Sequence, residues 1–298
     1  MKNKMNIAML GGDLRQYIAA RELSARGCSV KMLGMERAEW DRSLTLSETI
    51  EGALEGVDAV VLPLPATADG VLLSCPLARR ETKIRLSEVI EAMLPHSLLV
   101  GGRIPETVVA SAEAAGIRVR DYFGSEEFQI KNAYTTAEAA ISIAMNSLSK
   151  NLCGARVAVT GFGRISKHLV RLLLSLGARV TVAARKSEDL AWAQSLGCET
   201  LRLCEAHPPM ELSCGFDVIY NTVPHWLFGR EFLEAVDRST FLIDLASVPG
   251  GVDICAAKAL GANVLWATSL PGKYAPESAG HLIADCVWEI LREEVGGE

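Results

Sequence analysis

At 298 residues, 49% of them hydrophobic and 22% charged, the chain has the balance of a globular α/β protein large enough for two lobes. A net charge of −6 with no basic block argues against a nucleic-acid partner, and no apolar run reaches the roughly 18 residues of a membrane span. The start, Met1-Lys2-Asn3-Lys4, leads into a strand rather than a signal peptide. Eight scattered cysteines with no CxxC pair read as small thiols in a reducing cytosol.

Residues 7–10 are predicted as a strand, followed by the turn Gly11-Gly12-Asp13, a helix closed by Gly27 and a second strand over 30–33. The same unit recurs 150 residues later, with Gly161 matching Gly11 and Gly177 matching Gly27. In the first copy Asp13 stands where the second has Gly163. A carboxylate there repels a pyrophosphate, so the first lobe is expected to be a poor dinucleotide site, with Arg15 and Gln16 left to receive a smaller anion. A strand over 57–62 ends in Pro63-Leu64-Pro65, a rigid loop at the edge where open α/β sheets place their ligands. Residues 71–86 suggest a short hairpin, 87–93 a helix and 97–100 a strand. Gly101-Gly102-Arg103-Ile104-Pro105 then reads as a carboxylate-holding loop or, equally, as a surface arginine beside a turn. A strand over 117–120 closes this lobe.

Residues 121–132 are expected to cross between lobes. Thr135 and Glu138 have the spacing of a capping box opening a long helix, 135–150, that forms a wall between them. Glu138 is half of that box or else a buried carboxylate facing the cleft, and in the latter case a candidate catalytic group. The second unit follows as a strand over 156–160, the turn Gly161-Phe162-Gly163-Arg164-Ile165-Ser166, a helix over 165–176 and a strand over 180–183. Strand, glycine turn and helix together hold a dinucleotide pyrophosphate on the helix N-terminus; the alternative is a glycine-rich turn with no ligand. Gly161 permits the turn, Gly163 admits the backbone to the pyrophosphate, and Ser166 is small enough for close helix–sheet packing.

An acid is expected after the second strand for the ribose of NAD. The chain instead has Ala184-Arg185-Lys186-Ser187, two cations and a hydroxyl that suit the 2′-phosphate of NADP, although Ser187 also reads as the cap of the next helix, 188–196. NADP is therefore favoured, with NAD possible. Three further strands, 217–221, 241–245 and 264–267, send loops to the same sheet edge. Asn221, Thr222, Val223, Pro224, Leu245, Ala246 and Pro271 are the expected coenzyme contacts there, and Ser247, Gly250 and Tyr274 the expected substrate contacts. A terminal helix, 276–296, is expected to reach back to the first lobe. It carries His281, which is a packed or solvent-facing residue or else the catalytic base. Lys273 is a further catalytic candidate. Cys204, His207 and Cys214 lack a fourth ligand and the right spacing, so no metal is predicted.

The stretches Gly11–Gln16, Pro63–Pro65, Gly101–Arg103, Thr135–Ala140, Gly161–Ser166, Asn221–Pro224, Asp244–Gly251 and Leu270–His281 together resemble the dipicolinate synthase A-subunit family, over essentially the whole chain. The wider architecture is similar to the 2-hydroxyacid and alanine dehydrogenases, two α/β lobes flanking a cofactor cleft. The resemblance implies two Rossmann-like doubly wound parallel-sheet domains, 1–132 for substrate or partner and 151–275 for NADP. It also implies a small cyclic dicarboxylate substrate, dihydrodipicolinate or its hydrated precursor. As partner it implies the flavoprotein B-subunit of dipicolinate synthase, and as location the mother-cell cytoplasm of a spore-forming bacterium. Homo-oligomers are left open. The hydroxyacid dehydrogenases carry an arginine after the strand matching 241–245; here that place reads Ala246-Ser247, which argues against simple 2-hydroxyacid oxidation. The expected reaction is proton removal from a ring carbon coupled to hydride transfer to NADP, with Arg103 and Arg15 holding the two carboxylates and His281 as base. The alternative is a protein that only binds coenzyme or substrate for the flavoprotein.

Overall fold

The computed structural model describes residues 5–39, 41–79, 82–203 and 210–295. It divides into two units, Met1–Asn132 with Ala275–Glu298, and Ala133–Tyr274. In the first, the order along the chain is β1 (Asn6–Leu10), α1 (Leu14–Ala25), β2 (Ser29–Leu33), β3 (Leu44–Leu46), α2 (Ile50–Leu54) and β4 (Ala59–Val61). Then come α3 (Leu86–Ala92), β5 (Leu98–Gly101), α4 (Glu106–Ala114) and β6 (Arg118–Asp121). The long helix α5 (Glu126–Ser147) leads into the second unit. That unit runs β7 (Arg156–Thr160), α6 (Arg164–Ser175), β8 (Arg179–Ala184), α7 (Ser187–Ser195), β9 (Glu199–Arg202) and β10 (Val218–Asn221). It ends with α8 (Arg230–Ala235), β11 (Phe241–Asp244), α9 (Ile254–Leu260), β12 (Val264–Trp266) and α10 (Leu270–Tyr274); the terminal helix α11 (Pro276–Glu294) belongs to the first unit.

Both sheets are six-stranded and parallel, with orders β3-β2-β1-β4-β5-β6 and β9-β8-β7-β10-β11-β12. These are the same doubly wound order, so the predicted fold class is the one formed, and in each sheet the order reverses beside the strand that feeds the glycine turn. The central strands are apolar throughout because both faces are covered. Ile7 and Met9 of β1 point into a core shared with α1 and α11, while Ala8 and Leu10 face α3 and α4. Val157 and Val159 of β7 likewise pack under α5 and α6, and Ala158 packs under α8 and α9.

Two expectations are corrected. Among the described residues of 71–86 there are no strands, only isolated antiparallel bridges, Thr67 to Leu73 and Leu72 to Arg85. The capping box at Thr135 does not exist, because α5 begins at Glu126 and both Thr135 and Glu138 lie inside it. The start signal is Ser125, whose Oγ accepts from the Phe128 N–H at 3.4 Å and is followed by Glu126 and Glu127 in the first turn, where acids favour the helix dipole.

Candidate functional site

In the second unit β7 delivers Thr160 to the sheet edge and the chain turns at once. Gly161 has φ +86° and donates to the Ala183 carbonyl at 2.8 Å. A Cβ there would lie 2.6 Å from Thr222 Oγ1, so the turn requires glycine on both counts. Gly163 is glycine for a different reason. It caps α6 in ordinary extended geometry, and the place of its missing Cβ meets nothing within 4 Å. The space beside the Gly163 Cα, at the start of α6, is therefore open. Phe162 is buried, with the Lys167 ammonium 5.9 Å from its ring centre; Arg164 is exposed and Ile165 half-buried. Ser166 is fully buried and its hydroxyl bonds Thr222 Oγ1 at 2.8 Å, fastening the helix to the loop after β10.

At the end of β8, Arg185 and Lys186 are exposed and pair with no carboxylate among the described residues. Ser187 opens α7 rather than capping it: the cap position is Lys186, with no side-chain bond. The Ser187 hydroxyl instead accepts from Arg202 Nη2 at 2.9 Å, and Arg202 Nη1 donates to the Arg185 carbonyl. Arg202 escapes a reading of the sequence because β9 is a short, largely exposed edge strand with no pattern of its own.

The loops after β10 and β11 are tied by a buried polar cluster. Asn221 and Asp244 are both fully buried. The Asn221 amide donates to Asp244 Oδ1 at 2.7 Å and to the Val223 carbonyl at 3.1 Å. Its oxygen accepts from the Thr160 hydroxyl at 2.6 Å and the Val223 N–H at 3.1 Å. All four of its hydrogen-bonding positions are filled. Its side chain therefore braces the site and has no position left for the coenzyme contact expected at Asn221. Asp244, absent from the candidates read in the sequence, accepts also from the N–H groups of Ala246 at 3.1 Å and Gly251 at 2.8 Å. The signal available for it is an acid ending the apolar run Phe241-Leu242-Ile243. Around this brace Thr222 and Val223 are half-buried, Pro224 and Ser247 exposed, and Leu245, Ala246, Gly250 and Pro271 buried. Lys273 and Tyr274 are exposed on α10, a single helical turn where a loop was expected.

Glu138 is exposed, not buried. It lines a shallow cavity of about 450 Å³ with Met145, Leu172, Ser175 and Leu176. Leu172 is eight residues along α6 from Arg164, roughly 12 Å of helix, so Glu138 lies at the far end of α6 from the glycine turn. A catalytic role for it is withdrawn.

The first unit has the same turn in a filled form. Gly11 and Gly12 have φ +60° and +100° and donate to the carbonyls of Leu33 at 2.8 Å and Ser74 at 2.7 Å. A Cβ on Gly11 would meet the Ser74 carbonyl at 2.6 Å and Cys75 Sγ at 2.8 Å, so the chain itself occupies the space over the turn. Glu36, just past β2, stands near where an acid would hold a ribose. It accepts instead from the N–H groups of Gly34 at 3.1 Å and Arg79 at 3.0 Å, clasping the covering segment. Burial, aided by Glu36, pushes the Cys75 thiol up to about 11, which makes it a packing group rather than a nucleophile.

Arg15 is not a free anion receptor. Its Nε and Nη2 bond Asp13 at 3.0 and 2.8 Å, Nη2 also meets the Leu64 carbonyl at 2.6 Å, and the residue is buried. Asp13 thus neutralises the cation expected to hold a carboxylate. His281 Nδ1 lies 3.5 Å from Glu22 Oε2. Glu22 is seven residues down α1 from Arg15, roughly 10 Å from the sheet edge, so His281 belongs to the α1–α11 seam and is withdrawn as the base. Arg103 differs from both. It adopts φ +54°, a left-handed conformation that costs a non-glycine residue about 1 kcal/mol or more. Asp121 fixes this turn by accepting from the N–H groups of Arg103 at 3.2 Å and Ile104 at 2.9 Å. The exposed guanidinium lies 4.3 Å over the Phe123 ring and pairs with no carboxylate among the described residues.

Among the described residues no three His, Cys, Asp or Glu side chains are grouped to hold a metal, and no helix is long and apolar enough to cross a membrane. Cys204 and His207 lie outside the described residues.

Residues 6–123 match the family model of the dipicolinate synthase A-subunit N-terminal domain. Along its length the chain is 27% identical to the dipicolinate synthase A-subunit of Bacillus subtilis (strain 168), covering 98% of each. The chain resembles the A-subunit of dipicolinate synthase from end to end. The crystal structure of the dipicolinate synthase A-subunit from Bacillus halodurans superposes with a TM-score of 0.85 at 29% identity, over 98% of this chain and 99% of that one. An L-alanine dehydrogenase superposes with a TM-score of 0.65 at 12% identity, over 98% and 91%, which shows a shared fold.

Proposed function

We propose that the chain is the NADP-dependent oxidoreductase component of a dipicolinate synthase. Its substrate is dihydrodipicolinate, or the hydroxy-tetrahydro precursor, and its product is pyridine-2,6-dicarboxylate. The observation that carries the reading is the contrast between two like turns: a Cβ at Gly163 would meet nothing within 4 Å, whereas Asp13, in the matching place of the first turn, is bonded to Arg15, and Ser74 and Cys75 lie over Gly11.

The residues present fit a nicotinamide dinucleotide. Gly163 leaves room for a diphosphate at the start of α6, and Arg185 and Lys186 are cations with no carboxylate partner among the described residues, where a 2′-phosphate belongs. The coenzyme, when bound, supplies the hydride acceptor. The chain supplies position. Thr222, Val223 and the backbone of Ala246 are held at the sheet edge by the Asn221–Asp244 brace. Arg103 is the group assigned to a ring carboxylate, because a strained, unpaired arginine persists where glycine would be easier. The flavoprotein B-subunit as partner and the mother-cell cytoplasm as location follow from the likeness to the A-subunit of dipicolinate synthase.

The test is an assay of the purified chain with dihydrodipicolinate and NADP, followed by NADPH absorbance. Turnover without the flavoprotein is the expected result; NADPH formation only in its presence would make this chain a coenzyme-holding partner instead. Arg103→Gly in the same assay is expected to raise the substrate KM tenfold or more, the value of a lost charge-assisted hydrogen bond of about 1.5–3 kcal/mol. Stability is expected to stay within about 1 kcal/mol, since relief of the left-handed strain offsets loss of the Phe123 stacking. An unchanged KM would remove Arg103 from the site.

A further inference from the structure

We propose that Arg202 is a third cation of the 2′-phosphate site and sets its shape, so that the choice of NADP over NAD depends on β9 as well as on the end of β8. The inference rests on the NADP reading above.

Three observations support it. First, register: β9 pairs with β8 so that Arg202 stands opposite Ala184, the residue before Arg185. Second, bonding: the Arg202 guanidinium lies along the loop, donating to the Arg185 carbonyl and to Ser187 Oγ at 2.9 Å. Those bonds use two of its five donors and leave three for a ligand. They also tie down both ends of the Arg185-Lys186-Ser187 loop, whose two cations would otherwise sit on a free turn. Third, charge: among the described residues none of Arg185, Lys186 and Arg202 pairs with a carboxylate.

The acids close in sequence among the described residues do not change this. Glu199, on the same strand, accepts from the Thr181 hydroxyl at 3.2 Å, and Glu188 and Asp189 lie in the first turn of α7, where they complement its dipole. Three like charges gathered with no counter-charge among the described residues repel one another, and a doubly charged phosphate is the group that relieves them. The ribose 2′-hydroxyl of NAD brings no charge and relieves nothing. An arginine that merely stapled the loop would serve both coenzymes alike, which separates a structural role from the one proposed.

The experiment is titration of the intact chain with NADPH and with NADH, by nicotinamide fluorescence, for the natural sequence, Arg202→Gln, Arg202→Lys and Arg185→Ala. Circular dichroism and thermal melting establish that each variant is folded. Arg202→Gln is expected to weaken NADPH tenfold or more and NADH less than twofold, with Arg202→Lys between it and the natural protein. NADPH affinity of the natural chain is also expected to fall more steeply with salt than that of Arg202→Gln. Equal losses on both coenzymes, or no loss on either, would overturn the proposal. If Arg185→Ala alone lost NADPH selectively, the NADP reading would stand and the role of Arg202 would fall. If the natural chain bound NADH as tightly as NADPH, both would fall.

Discussion

Gly163→Ala leaves the protein folded and removes most of its coenzyme affinity. Gly163 has φ −84° and ψ −163°, which alanine adopts freely, and no atom lies within 4 Å of the new methyl group. Replacing glycine at such a position stabilises a chain by about 0.4–1 kcal/mol, through the unfolded state. The melting temperature should therefore hold or rise. The methyl group nonetheless stands in the space through which a diphosphate approaches the start of α6. Loss of even two N–H bonds to a charged oxygen, at about 1.5 kcal/mol each, weakens binding on the order of a hundredfold. The neighbouring glycine gives the opposite pattern: an alanine at Gly161 collides with Thr222 and damages the fold itself. A Gly163→Ala variant that melted normally and bound NADPH normally would show that the diphosphate lies elsewhere.

Asp244→Ala is the substitution expected to damage stability most among the polar residues of the second unit. The carboxylate is fully buried and receives the Asn221 amide and the N–H groups of Ala246 and Gly251. Its removal leaves three buried donors unanswered, at about 1–3 kcal/mol each before the loops relax around the gap. A loss of about 3–5 kcal/mol in urea unfolding is the expected result. Gly251 closes the same cluster, since a Cβ there would collide with Asn221 Nδ2, so relaxation of the loop has little room. A loss below about 1 kcal/mol would mean that the brace is not what holds the two loops together.

Much of the fold is legible in the sequence because the signals are strong and local. The apolar runs 156–160 and 180–184, with glycines at 161 and 177, can be little other than a strand–turn–helix–strand unit. Its weaker copy at 7–33 emerges by alignment on the first. What escapes are short edge strands, β3 and β9, half-exposed and too brief for a periodic pattern. The start of α5 carries two competing signals: Ser125-Glu126-Glu127 is the one that caps the helix, and the capping-box spacing at Thr135 falls inside it.

The site is harder, since sequence reports which residues stand near a turn and not which are already paired. Arg15 and Arg103 look alike as text. Only the structure separates the one gripped by Asp13 from the one held open by Asp121. His281 and Glu138 stand out for their chemistry, and packing places them against Glu22 and at the far end of α6. Asp244 and Arg202 act on loops brought to them by strand register, so nothing adjacent in sequence marks their roles.

The central claim is that only one of two lobes with the same strand order carries a coenzyme site, the second, because the first has closed its own turn with Ser74 and Cys75. Isothermal titration of the intact chain with NADPH counts the sites directly. The account predicts saturation at one coenzyme per chain. Saturation at two, or no heat of binding at any concentration, would contradict it.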